Sequence, residues 1–248
     1  MSYMNWICCC FLSLVCSIPL KGQSVENMDK AIEILDKVSK SYGAGELSFD
    51  LNYTYANEHQ PGVLLDSLHG SMQLSQGNYR SAIGNTILLK NSHYNIAVFK
   101  EDKLIHVSKP MLSDSLDASP LGMIAASIRQ AGIKTCQITR KGDITQIHFT
   151  FPPDNVYKYM EIKLDNKNWH INQLQFVIKS SMLSESGQVA GEGYEAYALV
   201  KASFYHYKTG HTDPAIFNEN QFFTRKADTL IPAPAYEDYE VFIGTPNI

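Results

Sequence analysis

The sequence predicts a mainly β protein of the α+β class, built on one large antiparallel sheet with few helices. Residues 47–55 give the clearest signal, because every odd position is apolar or aromatic and every even position is polar. A period of two gives a strand one apolar face and one polar face. The same alternation recurs along most of the chain, whereas only two segments have helical periodicity. So little helical cover raises the question of what lies on the apolar face.

Composition and charge favour a globular protein that does not bind nucleic acid. The chain has 248 residues, of which 44% are hydrophobic and 19% charged, an ordinary balance for a folded core. The formal net charge is −4, and no cluster of Lys and Arg forms a basic patch. This length suits one large β-rich domain or two small ones, and strand-rich folds of this size are often single domains.

The N-terminus predicts export. An apolar run from Trp6 to Leu20 is short for a membrane span and has the length of the apolar core of a secretory signal. Residues 1–23 are therefore predicted to be a cleaved signal peptide, with a retained anchor as the alternative. Cleavage would leave Cys136 as the only cysteine, so an internal disulfide is excluded and a periplasmic location is expected.

Two helices are predicted. The first runs from Ser24 or Asn27 to Tyr42, with Gly43 as its C-cap and with a buried stripe formed by Ala31, Leu35, Val38 and Tyr42. The second begins at Ser119-Pro120, an N-cap serine followed by proline at the first helical position, and ends before Gly132. Its apolar stripe consists of Leu121, Ile124, Ala125, Ile128 and Ala131.

Each helix is followed by a predicted meander of antiparallel strands. The first contains strands at 46–56 and 68–76, one kinked strand at 79–90, and strands around 96–98 and 105–107, with a loop at 57–62. The second contains strands around 136–138, 147–151, 160–164 and 169–178. A phase slip near Asn172-Gln173 indicates a β-bulge.

The last third of the chain is predicted to contain a central strand and a docked tail. Both faces of residues 194–208 carry apolar groups, which favours a strand covered on both sides. The tail beyond is rich in Phe and Pro, and Tyr236 to Ile243 is expected to form a last strand or a docked arm.

No catalytic, metal-binding or cofactor-binding constellation is found in the sequence, so an enzyme is not expected. The eight His residues show no metal-ligand spacing. Cys136 alternates with Ile138, which is typical of a buried small apolar residue rather than a nucleophile.

The order of these elements resembles the LolA-type periplasmic lipoprotein carriers over roughly residues 28–210. The matching segments are Ile34-Leu35-Asp36-Lys37-Val38-Ser39 leading into Leu47-Ser48-Phe49, then Gly70-Ser71-Met72-Gln73-Leu74, Tyr79-Arg80, Ser119-Pro120-Leu121-Gly122-Met123-Ile124, Asp143-Ile144-Thr145-Gln146-Ile147, and Asp165-Asn166-Lys167-Asn168 through Gln173-Leu174-Gln175-Phe176. The resemblance implies a strongly curved, incompletely closed antiparallel β-barrel with helices over its concave face. Residues 24–210 would form this domain, and residues 211–248 an extension packed on it.

In this family the concave face shelters the acyl chains of a lipoprotein. Fifteen residues here are candidates for such a lining by their alternation, and the same residues would also suit a filled core. They are Phe49, Leu51, Tyr53, Met72, Leu74, Ile96, Val98, Phe149, Phe151, Ile162, Leu174 and Phe176 on strands, with Leu121, Ile124 and Ile128 on the second helix.

The resemblance implies a soluble, monomeric periplasmic carrier for lipoprotein acyl chains or another lipid. The alternative is a non-enzymatic envelope scaffold or sensor that contacts a protein partner through Tyr205, Tyr207 and the tail at 214–248. Whether the apolar face holds a ligand or the protein's own tail is left open by the sequence.

Overall fold

A computed structural model describes most of the chain: residues 25–43, 45–110, 128, 132–183, 193–210, 212–227 and 229–245. The predicted signal peptide at 1–23 lies outside the described residues, as do Leu121 and Ile124 of the second predicted helix. Ile128 of that helix is described; it is helical and 1% exposed. Within the described ranges, no helix is both long and apolar enough to cross a membrane.

The first predicted helix is confirmed as α1, Met28–Gly43. It buries Ala31, Ile34, Val38 and Tyr42, spaced three and four residues apart on one face. Leu35, which was predicted to be in the buried stripe, packs only partly against the core. Asp29 in the first turn and Lys40 in the last complement the helix dipole.

Fourteen strands follow in the described residues, and twelve of them form one sheet. They are β1 (Leu47–Asn57), β2 (Gln60–Ser75), β3 (Asn78–Ile83), β4 (Thr86–Lys90), β5 (Asn95–Phe99), β6 (Leu104–Ser108), β7 (Thr135–Lys141), β8 (Ile144–Thr150), β9 (Tyr157–Asp165), β10 (Ile171–Lys179), β11 (Tyr197–Thr209), β12 (Phe223–Lys226), β13 (Thr229–Pro232) and β14 (Glu240–Ile243). Short 3₁₀ helices lie at Ser180–Leu183, Pro214–Phe217, Glu219–Gln221 and Pro234–Tyr236.

The predicted open, curved sheet is confirmed. Its strand order is β14-β6-β5-β4-β3-β2-β1-β11-β10-β9-β8-β7, so β14 and β7 form two separate edges and the sheet does not close into a barrel. All neighbours are antiparallel except β14, which pairs parallel to β6. The predicted last strand is thus confirmed, and β11 is central as predicted, between β1 and β10.

Three local expectations are resolved by the strand pairing. The bulge predicted near Asn172-Gln173 is confirmed, because the β9–β10 register shifts between Ile171 and Gln173. The predicted single strand at 79–90 is wrong: Gly84-Asn85 closes the β3–β4 hairpin, with Gly84 at φ 52°. The predicted loop at 57–62 is also wrong, since β2 begins at Gln60.

The two faces of the sheet are covered by different parts of the chain. Residues directly opposite each other on paired strands project to the same face. Met72 on β2 is opposite Phe49 on β1 and Ser81 on β3. Ser81 is opposite Leu88 on β4, and Leu88 is opposite Ala97 on β5, so these five side chains project to one face. Ile96 and Val98 alternate with Ala97, so they project to the opposite face. We call these the helix-bearing face and the tail-bearing face.

The helix-bearing face holds the main core. Buried residues of α1, Ile128 and the inward side chains of β1, β2 and β7–β11 form one cluster there. Its fully enclosed side chains include Ile147, Phe149, Ile162 and Leu164, each 0% exposed. The central strand β11 contributes Ala202, while Tyr205 on its other face is 37% exposed. The expectation that β11 is covered on both sides is therefore wrong at this end of the strand.

The tail-bearing face holds a second core over β4, β5 and β6. Phe222, Phe223 and Leu230 of the C-terminal tail pack there against the buried side chains of Ile87, Leu89, Ile96, Val98, Ile105 and Val107. The tail thus covers the sheet from the side opposite α1. The expected common lining that joined Ile96 and Val98 to Phe49 and Met72 is wrong, because alternation groups residues within a strand but does not say which face of the sheet each group occupies.

Polar contacts fix the tail at both ends. The Asn91 amide nitrogen donates to the carbonyl oxygen of Phe217 at 2.9 Å and to the carboxylate of Glu219 at 2.7 Å. Lys103 forms an ion pair with Asp238 at 2.6 Å. The backbone N–H of Gly244 donates to the carbonyl of Val107 at 2.8 Å, in line with the parallel β14–β6 ladder.

Removing one tail ring should destabilise the whole fold. Phe223 is 1% exposed, so Phe223→Ala should lower the free energy of unfolding by about 3–5 kcal/mol. Ile231 on the paired strand is 42% exposed, and Ile231→Ala should change it by about 0.5 kcal/mol or less. Urea denaturation followed by circular dichroism measures both. Equal stability of the two variants would contradict a structural role for the tail.

Candidate ligand-binding site

The helix-bearing face changes from fully buried to half-exposed along the cross-strand rows. One row begins at Asp66 on β2 and passes through Tyr55, Val200 and Phe176 to Met160 on β9. Asp66 is exposed, Tyr55 and Phe176 are half-buried on either side of Val200, which is 1% exposed, and Met160 is 2% exposed. The row therefore begins at a carboxylate in solvent and ends in dry core.

Aromatic rings line the half-exposed end. Tyr53 and Tyr55 alternate on β1 and stack with ring centroids 6.5 Å apart. Tyr157 lies 5.9 Å from Phe176 and 5.7 Å from Phe151, measured between ring centroids. We call the set Tyr53, Tyr55, Asp66, Leu68, Tyr157 and Phe176 the aromatic mouth.

Burial keeps the mouth phenols neutral. It is the main cause that raises the pKa of Tyr53, and it raises the pKa of Tyr55 to about 12 with smaller contributions from Tyr53, Asp66 and Tyr194. The mouth therefore offers uncharged aromatic surface beside one carboxylate at neutral pH.

An overhang of β2 forms one wall of the mouth. β2 pairs with β3 only from Gly70 onwards, while its first half pairs with β1 alone among the described strands. A Cβ atom at position 70 would lie 2.4 Å from the carbonyl oxygen of Ala82, so glycine allows the close approach of β3 at this point. On the solvent side of the overhang, Val63 is 56% and Leu64 is 59% exposed.

At the other end of the face, two tyrosines close the core with a ring of hydrogen bonds. The Ile171 N–H donates to the Tyr42 hydroxyl at 3.1 Å, and the Tyr207 hydroxyl donates to the Ile171 carbonyl at 2.7 Å. The two hydroxyl oxygens lie 2.6 Å apart, and since Tyr207 donates to the carbonyl, Tyr42 donates to Tyr207. This ring joins α1 to β10 and β11.

A bulge in β11 brings Tyr207 into that ring. The β1–β11 register shifts between Ser48 and Asp50, and His206 has φ 54°, a left-handed conformation that is uncommon for a non-glycine residue. His206 pairs on the outside with Asp50 at 2.9 Å. Tyr207 thereby shares a face with Phe49, with ring centroids 5.0 Å apart. The predicted outward role of Tyr207 in partner contact is wrong for this reason.

Beside this ring lies a cleft of about 560 Å³ with a mainly apolar lining, formed by Ser41, Gly45, Glu46, Leu47, His170, Thr209 and Gly210. His170 is 8% exposed and stacks on Tyr207 at 4.2 Å between ring centroids. Burial lowers the pKa of His170, which keeps the ring neutral. The cleft thus combines a mainly apolar surface with hydroxyl, carboxylate and imidazole groups.

The structure distributes the predicted lining residues over four environments. Tyr53 and Phe176 lie in the mouth, Ile96 and Val98 lie under the tail, and Leu121 and Ile124 lie outside the described residues. The others are buried in the main core: Phe49, Leu51, Met72, Leu74, Ile128, Phe149, Phe151, Ile162 and Leu174.

Sequence reasoning missed four members of the mouth: Tyr55, Asp66, Leu68 and Tyr157. Tyr55 and Leu68 continue recognised alternations, and that signal could have found them. Asp66 lies in the same unshifted β1–β2 register, two residues before Leu68 on one face of β2, but a carboxylate is not part of an apolar alternation.

The site does not resemble a catalytic or metal centre. Within the described ranges, no group of three His, Cys, Asp or Glu side chains is placed to hold a metal ion. Cys136 is 4% exposed in the main core, as predicted, and burial raises the pKa of its thiol. The neutral aromatic rings of the mouth can bind apolar groups.

Comparison with known proteins shows similarity at the level of fold. No family model and no curated protein matches the sequence. Among solved structures, an uncharacterised conserved protein from Thermus thermophilus is 10% identical, covers 86% of this chain and 99% of its own, and has a TM-score of 0.46. A LolA superfamily protein from Nitrosomonas europaea is 13% identical, covers 77% and 99%, and has a TM-score of 0.32.

The MucA/MucB complex of Pseudomonas aeruginosa gives 12% identity, coverage of 76% of this chain and 60% of the matched chain, and a TM-score of 0.37. The Nitrosomonas europaea protein belongs to the LolA superfamily, which the sequence was predicted to resemble. These low identities and TM-scores compare the folds alone. What the chain binds depends on its own residues.

The tyrosine ring should make stability fall at alkaline pH. Burial raises the pKa of Tyr42 to about 12 and that of Tyr207 further, while unfolded tyrosine ionises near pH 10. Above about pH 10 the unfolded state therefore binds fewer protons than the folded state, and the free energy of unfolding falls as pH rises. Each such phenol contributes a slope of up to about 1.4 kcal/mol per pH unit.

Urea denaturation between pH 8 and 11.5 measures this decline. The double variant Tyr42→Phe/Tyr207→Phe should be about 1–3 kcal/mol less stable at pH 8, because it removes hydroxyl partners of the Ile171 backbone, and its alkaline decline should be shallower. Ile231→Ala, which removes no ionisable group, should keep the wild-type decline. An unchanged slope in the double variant would show that the ring does not form.

Proposed function

We propose that this protein is a non-enzymatic cell-envelope binding protein that holds an acylated or otherwise lipidic ligand non-covalently at the aromatic mouth. The observation that carries the proposal is the row from Asp66 to Met160, which passes from solvent through half-exposed rings into dry core. Half-exposed aromatic surface that is continuous with a core is typical of a site that a ligand completes.

The dimensions of the mouth suit an acyl chain. Three interstrand steps from Asp66 on β2 to Phe176 on β10 span about 14 Å, at about 4.8 Å per step. Half-buried Ile83, Leu88, Phe99 and Leu104 extend the same face over β3–β6. Each methylene that is fully buried contributes about 0.8 kcal/mol, so affinity grows with the apolar surface available rather than with any one polar contact.

The compartment and the cargo are part of the same proposal. The apolar run at 6–20 supports export to the periplasm, and an acyl chain that crosses an aqueous compartment needs apolar shelter. The ligand would be the acyl chains of a lipoprotein or another lipid, and the mature form a monomer.

A second candidate function is contact with another polypeptide through the β2 overhang. Val63, Leu64 and Leu65 are 56%, 59% and 37% exposed, and this half of β2 pairs with only one described strand. Unpaired strand edges can accept an added strand. Tyr207 and the tail rings Phe222 and Phe223 do not support this function, because they pack inside the molecule, whereas Phe242 of the tail is 53% exposed.

Organic extraction tests the main proposal. Protein purified from a native envelope fraction should yield lipid by mass spectrometry, and protein stripped of lipid should bind an uncharged solvatochromic probe with a long alkyl chain, with a blue shift of its emission. If no lipid co-purifies and the stripped protein leaves the probe emission unchanged, the binding proposal is wrong.

A matched pair of variants locates the probe. Phe176→Gln removes apolar surface from the mouth and should weaken probe binding about tenfold, from the loss of about 1.5 kcal/mol of apolar burial. Tyr205→Gln alters an exposed ring that faces Asp50 on the other side of the sheet, and should leave probe affinity unchanged. Equal weakening by both variants would place the probe elsewhere.

A further inference from the structure

The Asp66 corner of the mouth combines a carboxylate with three phenol rings. Asp66 is directly opposite Tyr55 in the β1–β2 ladder, and Leu68 is opposite Tyr53, so the four side chains share one face. Tyr194 lies close enough to Asp66 for the carboxylate to act on its phenol. The corner is therefore rich in aromatic surface and carries one negative charge.

The charge of Asp66 is not compensated within the described residues. Its Oδ1 accepts the backbone N–H of Ser67 at 2.7 Å, and no described Lys, Arg or His forms an ion pair with it. Lys201, the cation nearest in the register, is opposite Thr54 and projects from the other face. One carboxylate at an apolar edge thus has its free oxygen available to a ligand.

Elsewhere in this protein, an aromatic ring and a carboxylate together hold a cation. At the neighbouring end of β11, the Lys158 ammonium lies 4.0 Å from the centroid of the Tyr197 ring and pairs with the carboxylate of Glu58. An ammonium held between an aromatic face and a carboxylate is a favourable arrangement, because both partners attract positive charge. At Asp66 the aromatic and acidic partners are present and the described chain supplies no cation.

We propose that the Asp66 corner binds the ammonium head group of an amphiphile whose hydrocarbon chain lies along the aromatic mouth. Asp66 pairs with the charge, and the Tyr53 and Tyr55 rings provide the aromatic face. The neutral state of these phenols, favoured by burial, preserves the ring surface that a cation prefers. This proposal rests on the proposed function and names the class of its ligand: a primary or quaternary ammonium with an alkyl or acyl chain.

The polarity of the row sets the orientation of the ligand. Asp66 places a carboxylate at the solvent end of the row, and Met160 lies in the core. An amphiphile therefore fits only with its head group at β2 and its hydrocarbon chain directed toward β9. A fatty acid would bring its own carboxylate beside Asp66 and is disfavoured by like-charge repulsion. A neutral alcohol of the same chain length has no charge to pair and should bind with intermediate affinity.

Isothermal titration with single-chain probes below their critical micelle concentrations tests the proposal. Dodecylamine and dodecyltrimethylammonium should bind the full-length protein at least about fivefold more tightly than dodecanol, and dodecanoate more weakly than dodecanol. Asp66→Asn should remove the preference for the amines and leave dodecanol affinity unchanged. Because Asp66 is exposed, this variant should fold normally.

Variants of Tyr55 separate the ring from its hydroxyl. Tyr55→Phe keeps an aromatic face and should retain the amine preference, whereas Tyr55→Leu should reduce it about threefold or more. Thermal denaturation shows whether each variant is folded before titration.

The outcomes distinguish a failure of the ammonium site from a failure of the proposed binding function. If wild type and Asp66→Asn bind dodecanol and dodecylamine equally, the ammonium site is wrong and the binding function stands. If none of the twelve-carbon probes binds, both are wrong. If butylamine displaces dodecylamine at equal concentration, the hydrocarbon chain contributes nothing and the site belongs to a cation on another kind of molecule, which overturns the proposal.

Discussion

Alternation of side chains across one continuous twelve-stranded ladder is the constraint on which the rest of the structure depends. Each strand sends half of its residues to each face, and a register that runs without interruption from β2 to β6 fixes which residues share a face. Buried apolar residues occupy the helix-bearing side of β1 and β2 but the tail-bearing side of β4, β5 and β6. Both faces therefore require cover, and α1 and the C-terminal tail supply it from opposite sides.

The C-terminal tail covers one of these two apolar faces and not the other. Phe222, Phe223 and Leu230 pack on the tail-bearing face and β14 extends the sheet beside β6, so the described part of the tail leaves the mouth open instead of filling it. The turn at Asn91 and His93 holds the tail through Glu219, with His93 Nδ1 3.1 Å from the carboxylate. Where the sequence left open whether ligand or tail occupies the apolar face, the structure shows two apolar faces and assigns the tail to one of them.

Local patterns predicted much of the fold. α1, β1, the second meander and the bulge near Gln173 follow from periodicity and turn residues, because these signals are contained within a few neighbouring positions. The sequence signal at Gly84-Asn85 correctly marked a change in chain direction. A glycine in the sequence does not show whether the strand bends there or reverses into a hairpin. Which face a strand presents to which partner depends on long-range register, and Ile96 and Val98 were misplaced for that reason.

The candidate site was less accessible to sequence reasoning than the fold. Tyr53 and Phe176 were found by their alternation, whereas Asp66 shares a face of β2 with Leu68 but carries a carboxylate, which an apolar pattern does not include. Tyr207 enters the core because His206 adopts a left-handed backbone conformation that no local residue preference predicts. A bulge of this kind reverses the face of every residue beyond it.

The central claim is that the helix-bearing face is the one open to ligand and the tail-bearing face is closed by the protein itself. Photo-crosslinking with a twelve-carbon chain that carries a terminal diazirine, followed by peptide mass spectrometry, tests this most directly. The account predicts that label attaches to peptides containing Tyr53, Tyr55, Tyr157 or Phe176. Label concentrated on peptides containing Ile96, Val98, Phe222 or Phe223 would contradict it.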